Sequence, residues 1–308
     1  MPAAYREAHQ NGRLQRSIER SLRWMAKCTL CPRFCRVNRV QNQVGFCRTG
    51  RLAVVASYGP HFGEESPLVG SNGSGTIFFS HCNLLCIFCQ NYEISHGGEG
   101  VPVTAGQLAN IMLDLQKRGC HNINLVTPSH VIPQILEALP EAIEKGLKVP
   151  LVYNCGGYER VSALRLLDGI VDIYMPDFKF WDPQVADQMC GTRDYPERAR
   201  QAFREMHRQV GDLQLEAGGI AWRGLLVRHL VMPSGLAGTG PILKFLASEI
   251  SKNTYLNIMD QYRPCGGALG KPHMGRSITH DEYAEALQMA QDLGLKRLDK
   301  RLKNWLFL

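Results

Sequence analysis

Cys82-Asn-Leu-Leu-Cys86-Ile-Phe-Cys89 places three thiols within eight residues, at spacings of four and three. Thiolates are the ligands that iron–sulfur clusters need, and three on one loop can hold three corners of a cubane. No fourth cysteine follows at short spacing. One iron would then keep an open position, able to bind and polarise a small chelating ligand as an open zinc site does. A zinc knuckle, or simply buried cysteines, is the competing reading of the same residues. A second group lies upstream: Cys28-Thr-Leu-Cys31-Pro-Arg-Phe-Cys35, with Cys47 further on. Four thiols at these spacings can surround zinc, a rubredoxin-like iron or a second iron–sulfur cluster, and spacing does not choose among them.

Composition supports metal over disulfides. Seven of the 11 cysteines in this 308-residue chain precede position 90, and an odd count cannot pair completely. The first residues, Met-Pro-Ala-Ala-Tyr-Arg-Glu, lack the apolar region of a secretory signal. No apolar run approaches the roughly 18 residues of a membrane span. A cytoplasmic location with reduced thiols, and no membrane partner, is therefore expected. The net charge of +7 is mild. Arg13, Arg16, Arg20 and Arg23 alternate with Leu14, Ile18, Leu22 and Met25 at helical spacing, so they read as the solvated face of an amphipathic helix. Nucleic-acid binding is not expected from them, nor from the basic tail Lys296, Arg297, Lys300, Arg301 and Lys303.

The elements that must position these cysteines alternate strand with helix. Strands are expected at 76–80, 122–126, 149–153, 171–175, 225–232 and 255–259. Helices lie between them, two opened by capping boxes, Thr104 with Gln107 and Thr279 with Glu282. Six strands each followed by helical sequence imply parallel βαβ units, α/β in class. A partial barrel and a doubly wound sheet both fit, and in either the ligand sits beyond the C-terminal ends of the strands. The cysteine loop directly follows the first strand. Asp177, Lys179 and Arg228 are charges beside strands that otherwise read as buried, so each needs a partner or a ligand.

The spacing Cys-x3-Cys-x-aromatic-Cys, with Phe88 as the aromatic residue, resembles the signature of the radical S-adenosylmethionine (SAM) superfamily. That resemblance implies a 4Fe-4S cluster held by Cys82, Cys86 and Cys89, with SAM chelated at its unique iron and cleaved by one electron to a 5′-deoxyadenosyl radical. The stretch from Cys86 to Asn91 looks like the equivalent part of pyruvate formate-lyase activating enzymes. Asn154-Cys-Gly-Gly157, Met175-Pro-Asp-Phe-Lys179 and Arg228 agree in order with strand ends that hold SAM there, Met175 and Asp177 matching a small cation site. Gly63-Glu-Glu-Ser-Pro-Leu68 and Cys89–Ser95 look closest to an activating-enzyme-like branch. The resemblance covers roughly residues 28–290. One string departs from it: Gly97-Gly98-Glu99 copies a SAM-binding motif but precedes the first helix, so it reads as a turn. The place after the second strand is held by Thr127 and Ser129, to which contact with the SAM amino group is assigned.

The expected organisation is a partial (β/α)6 TIM-like barrel at 76–295 with an N-terminal cysteine-rich metal lobe at 1–50. A connecting segment at 51–75 and a basic tail at 296–308 complete it. The expected activity is radical SAM chemistry on a glycine of a partner protein, another peptide or a small molecule. A reductant such as flavodoxin or ferredoxin serves it. Phe88, Asn91, Thr127, Ser129, Asn154, Met175, Asp177, Lys179 and Arg228 border SAM in this reading. A two-centre electron-transfer protein is the alternative from another class, and it requires a fourth protein ligand such as Cys155. Cys265 is a candidate second reactive group, Cys120 a buried hydrophobe, and His130 a structural residue at a helix N-terminus.

Overall fold

The computed structural model describes residues 2–299. Two helices open it, α1 (Ala4–Gln10) and α2 (Arg13–Ala26), with Gly12 between them in the left-handed region at φ 74°. Leu14, Ile18 and Met25 are buried along α2, as their spacing predicts. The α1 segment lies across the entry ends of two later strands: Ala4 N donates to Asp172 Oδ1 (2.7 Å) and Tyr5 Oη to Val149 O (2.9 Å). Tyr5, Leu14 and Ile18 belong to the main core, so these helices are part of the barrel's outer layer.

The chain continues through β1 (Ala53–His61), α3 (Ser66–Val69), β2 (Ser74–Phe79), β3 (Val101–Val103) and α4 (Ala105–Lys117). Next come β4 (Ile123–Val126), α5 (Ile132–Glu144), β5 (Leu151–Cys155), α6 (Val161–Leu164), β6 (Ile173–Pro176), α7 (Pro183–Cys190) and α8 (Tyr195–Val210). The last elements are β7 (Gln214–Leu215), β8 (Ala221–Leu230), α9 (Thr239–Phe245), β9 (Tyr255–Met259) and α10 (His280–Asp292). Both capping boxes form: Thr104 Oγ1 accepts from Gln107 N and Thr279 Oγ1 from Glu282 N, with the Gln and Glu side chains reaching back.

Strands β2, β4, β5, β6, β8 and β9 pair in parallel, each with the next in chain order. A doubly wound sheet reverses its strand order at a switch point. Here the order never reverses, so the six βα units form the partial (β/α)6 barrel. Alternation along the strands then sorts the side chains. Tyr153, Tyr174, Leu225 and Val227 face the helical layer, while Val152, Ile173, Met175 and Leu226 form a separate inner cluster.

Segment 51–75 is more than a connection. Ala53 and Val55 are buried on β1, which pairs antiparallel with β2 and with β3 and so covers the exposed edge of β2. Leu68 of α3 is fully buried in the inner cluster against Val152, Ile173 and Leu226, plugging the barrel from within. Its Gly, Ser and Pro content hid a strand and a plug. At the other end, residues 296–299 are docked: Leu298 bridges Leu256, and the Arg297 guanidinium donates to Leu213 O (2.8 Å) and Asn253 O (3.0 Å). Lys300, Arg301 and Lys303 lie outside the described residues.

Candidate functional site

The chain leaves β2 at Phe79 and turns at once into the cysteine loop. His81 takes φ 69° and Leu85 φ 53°, left-handed conformations that side chains of this size rarely adopt and that concentrate at functional loops. The loop is pinned from outside: His81 N donates to Ile94 O (2.9 Å), Ile87 N to Met189 O (2.9 Å) and Gly267 N to Ile87 O (2.7 Å). Gly98, left-handed at φ 73°, caps the short helical segment Glu93–Gly97 and sits against the His81 ring, where a Cβ would stand 2.2 Å from Cε1.

Cys86 is buried, and Cys82 and Cys89 are partly so. Each sulfur has a donor or a thiol beside it: Leu84 N for Cys82 (3.3 Å), Ser95 Oγ for Cys89 (3.2 Å), and the Cys190 thiol for Cys86. Burial pushes the Cys82 thiol up to about 12 and raises Cys89, and the bond to Cys190 together with burial holds Cys86 well above the usual thiol range. The free side chains therefore stay protonated, and only coordination to a metal would displace those protons. Three cysteine sulfurs on one loop, two of them with N–H or O–H donors, are the ligand chemistry of an iron–sulfur cluster.

Phe88 anchors the loop: its ring meets Phe180 edge-on at 5.8 Å and Tyr262 at 6.2 Å, and it is 6% exposed. That packing fixes the ring beside the cysteine loop. Cys265 donates to Phe88 O (3.1 Å), and Asn91 is exposed just beyond the loop.

Opposite the cysteines, the inward faces of β5, β6 and β8 bring Asn154, Asp177, Lys179 and Arg228 together. Arg228 donates from Nε to Asp177 Oδ1 and from NH2 to Asn154 Oδ1, both at 2.7 Å, while Lys179 Nζ donates to Asp177 Oδ2 at 2.6 Å. Burial alone would raise the Asp177 carboxyl, but Arg228 and Lys179 outweigh it and hold it below the usual carboxylate range. Burial opposes the charge on Lys179 and Arg228 as well, and Asp177 overrides it for both, raising them. The electrostatics of Lys179 also reach Cys86 and Cys89, so the network and the cysteine loop share one rim. Below it, the Asn124 side-chain amide is fully buried with both polar atoms unpartnered.

Gly156 and Gly157 let the β5 loop approach both halves of this rim. A Cβ on Gly156 would stand 2.6 Å from Leu84 Cδ1, and one on Gly157, at φ +78°, 2.5 Å from Asp177 O. Gly157→Ala is expected to cost about 1–3 kcal/mol through strain and the clash with that carbonyl. Urea unfolding should show the loss as a lowered midpoint.

Two expected SAM contacts are packed within the protein, and the fourth ligand that the electron-transfer reading needs lies elsewhere. Met175 is fully buried in the inner cluster, packed on Val152 and Ile173. Ser129 is 1% exposed, and its hydroxyl donates to Glu159. Cys155 points into the outer layer, on the opposite face of β5 from Asn154, so alternation removes it as a fourth cluster ligand. Thr127 does stand at the rim, half-buried, with the left-handed φ of 60° that a β-branched residue seldom takes. His130 bonds through Nε2 to Ser80 O (2.9 Å), and burial lowers it to about 3, so it is neutral and structural.

Two residues escaped the spacing argument. Cys190, at the end of α7, meets Cys86 only through the fold. Glu159 is buried beside Ser129 and Tyr153, and burial raises its carboxyl from the usual 4.5 to about 7. Its folded value exceeds its unfolded one, so its contribution to stability is complete below pH ~4.5 and lost as pH rises through ~7. At ~1.4 kcal/mol per unit, the loss is about 3 kcal/mol. Glu159→Gln should remove this part of the decline, flattening the urea midpoint between pH 5 and 8 relative to wild type. Asp172, raised by burial to about 6, leaves a smaller decline in both proteins.

Comparison with known proteins places the chain. A family model for the radical SAM superfamily matches residues 76–213, from β2 through α8. The uncharacterized protein MJ0674 of Methanocaldococcus jannaschii is 30% identical over 276 residues, which is 87% of this chain and 75% of that one. Among solved structures, native anSMEcpe with bound AdoMet superposes with a TM-score of 0.47 at 11% identity, over 69% of this chain. HydG, a maturase of the FeFe-hydrogenase, gives 0.44 at 12%, over 71%. The chain spans 57% and 48% of those two structures' lengths. No described helix is long and apolar enough to cross a membrane. With the family model laid over the strands that present Cys82, Cys86 and Cys89, residues 76–213 of this chain carry a radical SAM domain.

Proposed function

We propose that the protein is a radical SAM enzyme in which Cys82, Cys86 and Cys89 each ligate one iron of a 4Fe-4S cluster. When bound, that cluster supplies the electron that splits SAM into methionine and a 5′-deoxyadenosyl radical, which takes hydrogen from a substrate. The observation that carries the reading is the placement of three cysteines on one strained loop, facing the Asn154–Asp177–Arg228–Lys179 network across the C-terminal rim of the barrel. Thr127 and Asn154 offer polar contacts for the amino-acid end of SAM. Arg228 and Lys179 supply positive charge for its carboxylate, held in place by Asp177. Asn91, exposed beyond Cys89, borders the adenosine side. The core-packed Phe88 and Phe180 keep water from the back of the loop.

The connections after β4 and β5 are only residues 127–131 and 156–160, and short connections leave the rim open to a large substrate. That favours a polypeptide, with a glycine in an activating-enzyme-like reaction as the narrowest form. A low-potential one-electron carrier, flavodoxin or ferredoxin in class, is the partner this chemistry requires. Anaerobic incubation with iron, sulfide, SAM and dithionite tests the core reading. Release of 5′-deoxyadenosine and methionine supports it, and iron and sulfide bound without SAM cleavage would point to electron transfer. Peptides deuterated at glycine Cα test the narrower one: no label in the 5′-deoxyadenosine from any of them removes it.

A further inference from the structure

The second cysteine group is gathered by the fold as well as by the sequence. Cys28 N donates to Val37 O and Arg36 N to Cys28 O, both at 2.9 Å, which closes the stretch 28–37 into a hairpin-like turn. Gly45 then approaches so closely that a Cβ would lie 2.7 Å from Cys35 Sγ. The result is one small cavity lined by all four cysteines, Cys28, Cys31, Cys35 and Cys47, with Arg39 and His130. All four cysteines are free thiols, so disulfides do not explain their meeting.

Charge shows what the cavity takes. Arg39 is 1% exposed. Its Nε donates to Gly50 O (3.2 Å), NH1 faces Cys28 Sγ at 3.9 Å, and NH2 has no partner. Among the described residues no carboxylate pairs with it. His130, also 1% exposed, leaves its Nδ1 unpartnered in the same wall. A buried guanidinium with no counter-charge costs several kcal/mol. Four neutral thiols do not supply that charge, whereas thiolates on a metal centre carry net negative charge beside the guanidinium. Phe46 N, 3.3 Å from Cys35 Sγ, adds a second donor to sulfur.

Position favours an electron-carrying cluster over a purely structural ion, because the site adjoins the central one. Arg33, between Cys31 and Cys35, donates to Asn83 O (2.9 Å), Leu84 O (3.4 Å) and Cys190 O (2.8 Å), and His130 holds Ser80 O, two residues before Cys82.

We propose that Cys28, Cys31, Cys35 and Cys47 hold a second iron–sulfur cluster, closed to outside ligands by its fourth thiolate and clamped by Arg33 behind the loop of the central cysteines. The proposal concerns a different cysteine set from the proposed function, and its test removes the central one. The Cys82→Ala/Cys86→Ala/Cys89→Ala protein leaves the N-terminal lobe untouched. It is reconstituted anaerobically with ferrous iron, sulfide and an equal amount of zinc, then desalted. Retention of at least about two irons with matching acid-labile sulfide is expected, with an electron paramagnetic resonance signal after dithionite that SAM does not alter. Zinc without sulfide, a single iron without sulfide, or no bound metal would each overturn the proposal. A signal that shifts on adding SAM would overturn its closed coordination. Further replacement of Cys31 and Cys47 by serine should lower the retained iron to background, and iron and sulfide persisting there would place the cluster elsewhere.

Discussion

Cys86→Ala is expected to abolish release of 5′-deoxyadenosine from SAM while leaving the protein folded. Cys86 is the middle ligand of the loop, and its sulfur lies deepest, against Cys190 and within reach of the charge on Lys179. Removing an outer partner of a metal site costs about 10–100-fold, and removing one of only three protein ligands should exceed that. The packing cost is small by comparison, since the loop keeps its bonds at Ile87 and His81 and its anchor at Phe88. Comparing 5′-deoxyadenosine yield with circular dichroism after anaerobic reconstitution separates the two effects. A variant that stayed folded and cleaved SAM at more than a tenth of the wild-type rate would remove this loop from the chemistry.

Asp177→Asn is expected to lower stability by about 3 kcal/mol at neutral pH. Both carboxylate oxygens of Asp177 are engaged, one by Arg228 and one by Lys179, so the amide would leave two neighbouring cations without an anion between them. Breaking a buried pair by removing one partner typically costs about 3–5 kcal/mol, and the partial exposure of these side chains argues for the lower end. The pH dependence has a definite sign. The folded Asp177 carboxyl is held below its unfolded value by Arg228 and Lys179. Its contribution is therefore present above the ordinary aspartate range near pH 4, and lost as pH falls through the depressed folded value. The gap between wild type and variant should be constant from pH 5 to 8 and close in more acidic solution. This is the opposite slope to that of Glu159, whose window lies between about 4.5 and about 7. In the Asp177→Asn background, Lys179→Met should recover part of the loss, because the two positions are in contact and do not add. Equal, additive losses in urea titrations would mean that Asp177 is not the anchor of this network.

Much of the architecture was legible because it is local. The six parallel strands fall within a few residues of the expected runs, since a buried strand between helices must be short, apolar and bounded by polar turns. The capping boxes at Thr104 and Thr279 were readable because the N-cap and N3 positions sit three residues apart in any helix. The strand-end charges Asp177, Lys179 and Arg228 were conspicuous because ionised groups beside buried strands require an explanation. β1 was missed because the Gly, Ser and Pro around it speak for a loop, while its pairing with β2 depends on an edge that only the assembled sheet exposes. Ser129 and Met175 lie deeper than expected for a related reason. Nearness to a strand end says little about depth once Glu159 holds the Ser129 hydroxyl or the inner cluster claims Met175.

The sequence by itself determined which atoms are available for chemistry. Three thiols at spacings of four and three lie within one short segment whatever the fold, and four more fall between positions 28 and 47. It also determined the βα alternation, through hydrophobic periods that act over a few residues. Only the tertiary structure decided between a curled barrel and a doubly wound sheet, because strand order is a matter of pairing across distant segments. It alone put Leu68 inside the barrel, Cys190 against Cys86, and Arg33 between the two cysteine groups. Such contacts join residues tens to more than a hundred positions apart. No period or spacing carries them, since what selects them is the burial of apolar surface and the pairing of buried charge, which exist only once the chain has closed on itself.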